Sequence, residues 1–225
     1  MLNPISKRLL ACAEYICPGD VVADIGCDHG YLGIHLLKSG VASRIIASDI
    51  NEGPLQSARN NAKKFGVEER MTFHLSDGVK LIPRDFDVLV CAGMGGDTMV
   101  SILEGAPWLK GGQYRLVLQC QSKTPVLRRY LSESGWQIKQ EEVLKDGRFL
   151  YTVMEVCWNP DAPRLTVGQW YLPPALLTNA YPETAEYVFR ILEGLRLAVQ
   201  HRNDLEKKQA LNELEMLFPD DKEIL

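Results

Sequence analysis

Short apolar blocks alternate with glycine- and acid-bearing breaks along the first 160 residues. Val21-Val22-Ala23 is an apolar run entered from Pro18-Gly19-Asp20 and closed by Asp24, the pattern of a buried strand. Tyr31–Leu37 then returns to a helix-compatible pattern that Gly40 ends. The rhythm repeats. Arg44–Asp49 reads as a second strand, and Asn51–Phe65 as a helix with Leu55, Ala58, Ala62 and Phe65 in register and Gly66 as its stop. Met71–Leu75 is a third strand, and Phe86–Ala92 a fourth with the helix Asp97–Leu103 behind it. Tyr114–Leu118 and Thr124–Leu131 form a fifth strand–helix pair, and Met1–Ile16 has helical periodicity ahead of them all.

Trp136–Val143 and Phe149–Trp158 follow with no helix between them, and Asp146-Gly147 marks a hairpin. Five strand–helix alternations and a hairpin predict an α/β fold: a doubly wound, mostly parallel, Rossmann-like sheet with an antiparallel edge hairpin. After Pro160 the pattern changes to a proline-punctuated linker with the apolar patch Trp170-Tyr171-Leu172. Two apolar series, Glu183–Val199 and Leu205–Phe218, flank the polar interruption Gln200–Asp204. They predict a small helical hairpin that packs on itself or on the sheet. The expected division is residues 1–160 and 161–225.

Composition adds bounds. The chain has 225 residues, 46% of them apolar and 24% charged, enough for one sizeable core. It holds no run of 18 apolar residues and no apolar stretch at its start long enough for a secretory signal. The six cysteines form no C-x-x-C pair. A cytoplasmic protein with reduced thiols, no metal and no membrane contact is expected. The net charge of −4 arises wholly after residue 160. A neutral front part can still carry a basic face when its acids are drawn into a site.

The candidate chemistry falls on the loops after strands one to four, the end of a doubly wound sheet where ligands bind. The first loop carries Gly26, Cys27, Asp28, His29 and Gly30. Asp24 and Asp28 flank it and would repel a diphosphate. S-adenosylmethionine carries a sulfonium, an ammonium and one carboxylate, so it suits this loop better than a dinucleotide. Gly26 and the backbone at Cys27 would admit its methionine portion, and Asp24 its ammonium. Asp49, followed by Ile50 and Asn51, stands 25 positions after Asp24. It would take the ribose hydroxyls, or simply cap a helix. Asp77, between Ser76 and Gly78, would accept from the adenine amine, or only make a turn. The loop Ala92-Gly93-Met94-Gly95 would face the methyl group. It lacks the Asp/Asn-Pro-Pro-aromatic clamp of many exocyclic-amine methyltransferases, and a ring nitrogen with its own lone pair needs no such clamp.

These residues resemble a known family. Asp24–Leu32 (D-I-G-C-D-H-G-Y-L), the Ala92–Gly96 loop (A-G-M-G-G) and the C-terminal helical pair are similar to the bacterial tRNA (adenine-22-N1)-methyltransferases, the TrmK family. The likeness spans the whole chain. It implies a class I methyltransferase domain, a coiled-coil-like tail, S-adenosylmethionine as cofactor, and tRNA as substrate, methylated at adenine N1 in the D-arm region. The chain departs at Cys27, Gly30 and Gly33, where Ser or Thr, Ala, and Pro are expected.

In that chemistry Asp28 would stabilise the developing ring charge, with His29 or Tyr31 positioning the base. Lys7, Arg8, Arg128, Arg129 and Arg148 are the candidate RNA contacts, on position and charge. A monomer or weak dimer is expected. A small-molecule methyltransferase and a non-catalytic cofactor-binding RNA protein are the other functions open to such a chain.

Overall fold

The structure, a computed structural model, describes residues 5–178, 182–201 and 204–218. Helix α1 (Lys7–Glu14) is capped by the Ser6 hydroxyl; the expected start at Met1 lies outside the described residues. The elements then run β1 (Val21–Ile25), α2 (Tyr31–Lys38), β2 (Arg44–Asp49), α3 (Glu52–Lys64), β3 (Met71–Leu75), β4 (Val88–Gly95) and α4 (Gly96–Glu104). They continue with β5 (Arg115–Ser122), α5 (Thr124–Glu133), β6 (Trp136–Asp146) and β7 (Phe149–Trp158). The tail holds α6 (Val167–Tyr171), α7 (Pro174–Leu177), α8 (Pro182–His201) and α9 (Leu205–Leu217). The proline-rich linker thus contains two short helices, one entered through a Thr166–Gln169 capping box.

One seven-stranded sheet has the order β3-β2-β1-β4-β5-β7-β6. β1 pairs in parallel with both β2 and β4, and β7 pairs antiparallel with β5 and β6. The chain leaves β1 towards β2 and β3, then crosses back to β4, which opens a crevice at the carboxyl ends of β1 and β4. The central strands are apolar throughout because both faces are covered. Along β4, Val88 and Val90 enter the layer of α1, α2 and α3, while Leu89 and Cys91 enter the layer of α4 and α5.

The step after β3 has no helix, as the sequence reading has it; residues 76–87 cross to β4 as turns. Pro83 interrupts any helical run there, and Val79, Ile82 and Phe86 anchor the segment in the core. β4 also runs on past its apolar stretch, through register shifts between Ala92, Met94 and Gly95.

α8 and α9 share an apolar cluster with Val143 of β6 and with Leu172 and Leu176 from the linker. The tail therefore packs both on itself and on the edge hairpin. This arrangement corrects the reading of Arg128 as an RNA contact. Its guanidinium is completely buried, 2.7 Å from Glu141, and donates to the carbonyls of Trp170 and Tyr171 at 3.1 and 2.6 Å. A guanidinium closed off by its own fold has no face for phosphate. Arg129 is half exposed but is ion-paired to Glu133 and Glu206 and stacked on Trp170.

Candidate active site

Backbone conformation brings the first loop to the crevice. β1 ends at Ile25, and Gly26 at φ 71°, Asp28 at 49° and Gly30 at 72° turn the chain into α2. The Gly26 and Cys27 N–H groups both donate to the Ser48 carbonyl at 2.8 Å, which ties the loop to β2. Those two donors are thereby committed within the fold. Glycine is needed at 26 on two counts: its φ is positive, and a Cβ there would stand 2.4 Å from the Met94 methyl.

Two cavities meet there. One, of about 490 Å³, is lined by Asp49, Ile50, Ser76, Asp77 and Gly78, and by Asp97, Thr98, Ser101 and Ile102 at the start of α4. The other, of about 370 Å³, is lined by Asp24, Cys27, Asp28, His29, Tyr31, Ala92 and Gly93, with Arg8, Gln119 and Gln121. Gly26 and Met94 belong to both. Of the residues expected at the cofactor, Asn51 and Gly95 line neither cavity.

The acids divide by environment. Asp24 Oδ2 is buried and has no hydrogen-bond partner among the described residues. Burial, then the charge of Asp49, pushes its carboxyl up to about 7. A buried acceptor left without a donor is costly unless a ligand supplies one, and a cationic amine does so best. Asp49 is the opposite case. Its Oδ1 accepts from the Asn51 N–H at 2.9 Å and its Oδ2 from the Asp28 N–H at 3.2 Å. It therefore ties the first loop to the turn before α3 and still has lone pairs to spare, since a carboxylate offers about four acceptor sites. Asp77 is exposed and held by Lys80 at 2.5 Å, so a ligand there would compete with that lysine. Ser76 is buried and shapes the turn, accepting from the Leu81 N–H and donating to the Gly78 carbonyl, both at 3.0 Å.

Asp28, His29 and Tyr31 share the lip of the second cavity. His29 Nε2 lies 3.6 Å from the Asp28 carboxylate, and the His29 and Tyr31 rings are 5.8 Å apart. Burial raises the Cys27 thiol far above its ordinary range, which removes it as a nucleophile. Arg8 lines the same cavity, bonded to Asp146 at 3.4 Å. Lys7 instead faces a separate groove with Glu14, Glu142 and Glu183. Arg148 is exposed at the β6–β7 turn.

Sequence reasoning missed Gln119. It is wholly buried, accepts from the Gly93 N–H at 3.0 Å and donates to the Cys120 carbonyl at 3.1 Å, so it fixes the strand-four loop. The signal was present as Q-C-Q-S, a polar ending on an apolar strand. It also missed the α4 face of the larger cavity.

Replacing Asp49 with alanine is expected to weaken binding of an adenosine-bearing cofactor by about 1.5–3 kcal/mol, because it removes charge-assisted acceptors and frees the loop. Calorimetry on the folded variant tests this; unchanged affinity removes Asp49 from the site.

A family model described as a methyltransferase domain matches residues 5–154. The chain is 34% identical over 151 residues to the tRNA (adenine(22)-N(1))-methyltransferase of Bacillus subtilis, covering 67% of this chain and 63% of that one. It thus spans about three fifths of the length of the curated relatives it matches. In structure the likeness runs further. The Bacillus subtilis M1A22 tRNA methyltransferase TrmK superposes with a TM-score of 0.81 at 28% identity, covering 100% of this chain and 99% of that one. A Streptococcus pneumoniae candidate tRNA (m1A22) methyltransferase, solved with S-adenosyl-L-methionine, gives 0.82 at 30% identity, over 93% of this chain and 98% of that one. With the family model across two thirds of its length and a likeness in fold from end to end, the chain belongs to the methyltransferase-domain family, in its TrmK branch.

Proposed function

We propose that the chain uses S-adenosylmethionine to methylate N1 of an adenine in tRNA, at position 22 as in the Bacillus subtilis relative. The observation that carries this reading is the buried Asp24 Oδ2, without a hydrogen-bond partner among the described residues, on a residue that lines one of two acid-bearing cavities sharing Gly26 and Met94. The residues fit the cofactor. Asp24 would hold its ammonium, Asp49 its ribose and Asp77 its adenine amine, with Gly26 lining both of the cavities they border. When bound, the cofactor supplies an electrophilic methyl group.

The chain's own residues then have modest tasks. Adenine N1 has a free lone pair, so no strong base is needed; the site must hold the ring in line and keep water out. The Gly93–Met94 loop, fixed by Gln119, gives close backbone approach. Asp28 at the lip would stabilise the positive charge that forms on the ring, with His29 and Tyr31 beside it to position the base. The target base must leave its stack to enter, at a cost of a few kcal/mol. In the two-part division, residues 1–160 bind cofactor and residues 161–225 set how the RNA docks.

Incubation with unmodified tRNA transcript and methyl-labelled cofactor is expected to yield 1-methyladenosine, seen by nucleoside analysis and as a reverse-transcription stop at one adenine. A transcript with that adenine replaced by guanine is expected to take up no label. Label on the exocyclic amine, or none on any tRNA, overturns the reading.

A further inference from the structure

The β6–β7 turn carries more aromatic surface than a hairpin needs. Gly147 and Arg148 close the turn between the paired Asp146 and Phe149, yet Phe149 has half its surface exposed. The Arg148 guanidinium lies 4.9 Å from the Phe149 ring centroid. Phe149 lies 6.2 Å from Tyr151, and the Arg8 guanidinium sits 5.1 Å over Tyr151. Arg8 in turn lines the cavity of Asp24, Asp28 and His29. A ladder of cation, ring, ring and cation thus runs from the hairpin tip into the mouth of the proposed base pocket.

We propose that this tip is a stacking platform for an unpaired nucleotide beside the target base. The proposal rests on the tRNA reading above. Aromatic faces stack any base, and guanidinium groups add cation–π attraction and phosphate contacts. The combination fits a single-stranded or flipped-out segment of a folded RNA. It does not fit a groove of a duplex, whose bases present edges and not faces. The target adenine must itself be extruded, so neighbours left unstacked by that step need a replacement surface.

The tail takes part indirectly. Arg190 of α8 donates to the Arg148 carbonyl at 3.2 Å, and Glu186 of α8 pairs with Lys145 at 2.7 Å and with Arg190 at 2.5 Å. These contacts hold the tip in place. An acid-rich tail can therefore support RNA recognition without touching phosphate.

Steady-state methylation of a tRNA transcript by Phe149→Leu and Phe149→Trp variants tests the platform, with the thermal shift given by S-adenosylmethionine as the folding control. Phe149→Leu keeps size and apolarity but loses the stack. It is expected to raise KM for tRNA about tenfold with kcat little changed, since stacking on an aromatic ring is worth that order. Phe149→Trp is expected to restore the wild-type KM. Arg148→Ala, at an exposed turn, is expected to weaken tRNA binding and make it less salt-dependent. A wild-type KM in Phe149→Leu, or equal losses with leucine and tryptophan, overturns the platform while tRNA methylation itself stands. A wild-type protein that methylates no tRNA overturns the tRNA reading and this one with it.

Discussion

Replacing Arg128 with alanine is expected to lower the unfolding free energy by about 3–5 kcal/mol, the scale for breaking a buried ion pair from one side. Both partners are completely buried, and the guanidinium also donates to two carbonyls of the linker and to the Tyr187 hydroxyl at 3.4 Å. Burial opposes its charge, but Glu141 and Tyr187 outweigh that effect and hold its pKa above the ordinary arginine value. The alanine variant leaves the buried Glu141 carboxylate without Arg128, and the Trp170 and Tyr171 carbonyls lose the same donor. Replacing the pair together, Arg128→Met with Glu141→Leu, removes both desolvation costs and is expected to recover most of the loss. Urea unfolding followed by circular dichroism measures each variant. A cost below about 1 kcal/mol would mean that water reaches the pair, as at a surface bridge. Since the pair lies outside both cavities, cofactor affinity of the folded variant is expected to stay unchanged.

Asp24→Asn is expected to abolish most cofactor binding at pH 8 while making the ligand-free protein more stable. The carboxyl is raised to about 7 from 3.8 by burial, then by the charge of Asp49. An acid raised in the folded state contributes stability that is full below its unfolded pKa and lost as pH rises through the folded value. The wild-type protein therefore gives up stability between about pH 4 and 7 through this group, on the order of a few kcal/mol. The amide variant carries no such charge and does not. A cationic ligand needs the ionised form, so wild-type affinity is expected to fall about tenfold per pH unit below about 7. In Asp24→Asn that dependence is expected to vanish along with the affinity. Titration calorimetry at several pH values checks both. A wild-type affinity that is flat between pH 6 and 8 would show that Asp24 does not hold the ammonium.

Much of this protein is legible along the chain. β2, β3 and β7 have the bounds that their apolar runs predict, and Asp146-Gly147 marks the hairpin because Gly147 supplies the positive φ such a turn requires. Asp24, Asp49 and Asp77 stand out because each comes at or just past the end of an apolar run, and in a doubly wound sheet strand ends meet at one crevice. These are local signals, set by side-chain period and backbone freedom.

Other features depend on which distant segments meet. Arg128 and Arg129 are adjacent and alike in sequence, yet α5 turns Leu127, Arg128 and Leu131 inward and leaves Arg129 half exposed. Nothing near Arg128 in the chain announces Glu141, Trp170 or Tyr187, and a buried charge is tolerated only where such partners converge. The Met94 methyl over Gly26, the Gln119 bond to the strand-four loop and the aromatic ladder from Phe149 to Arg8 are of the same kind. Sequence alone determined the strands, the glycine turns and the acids at the strand ends, because those follow from period and backbone conformation. Tertiary structure decided which charges are buried and which rings line the mouth, because burial and stacking are properties of pairs far apart in the chain.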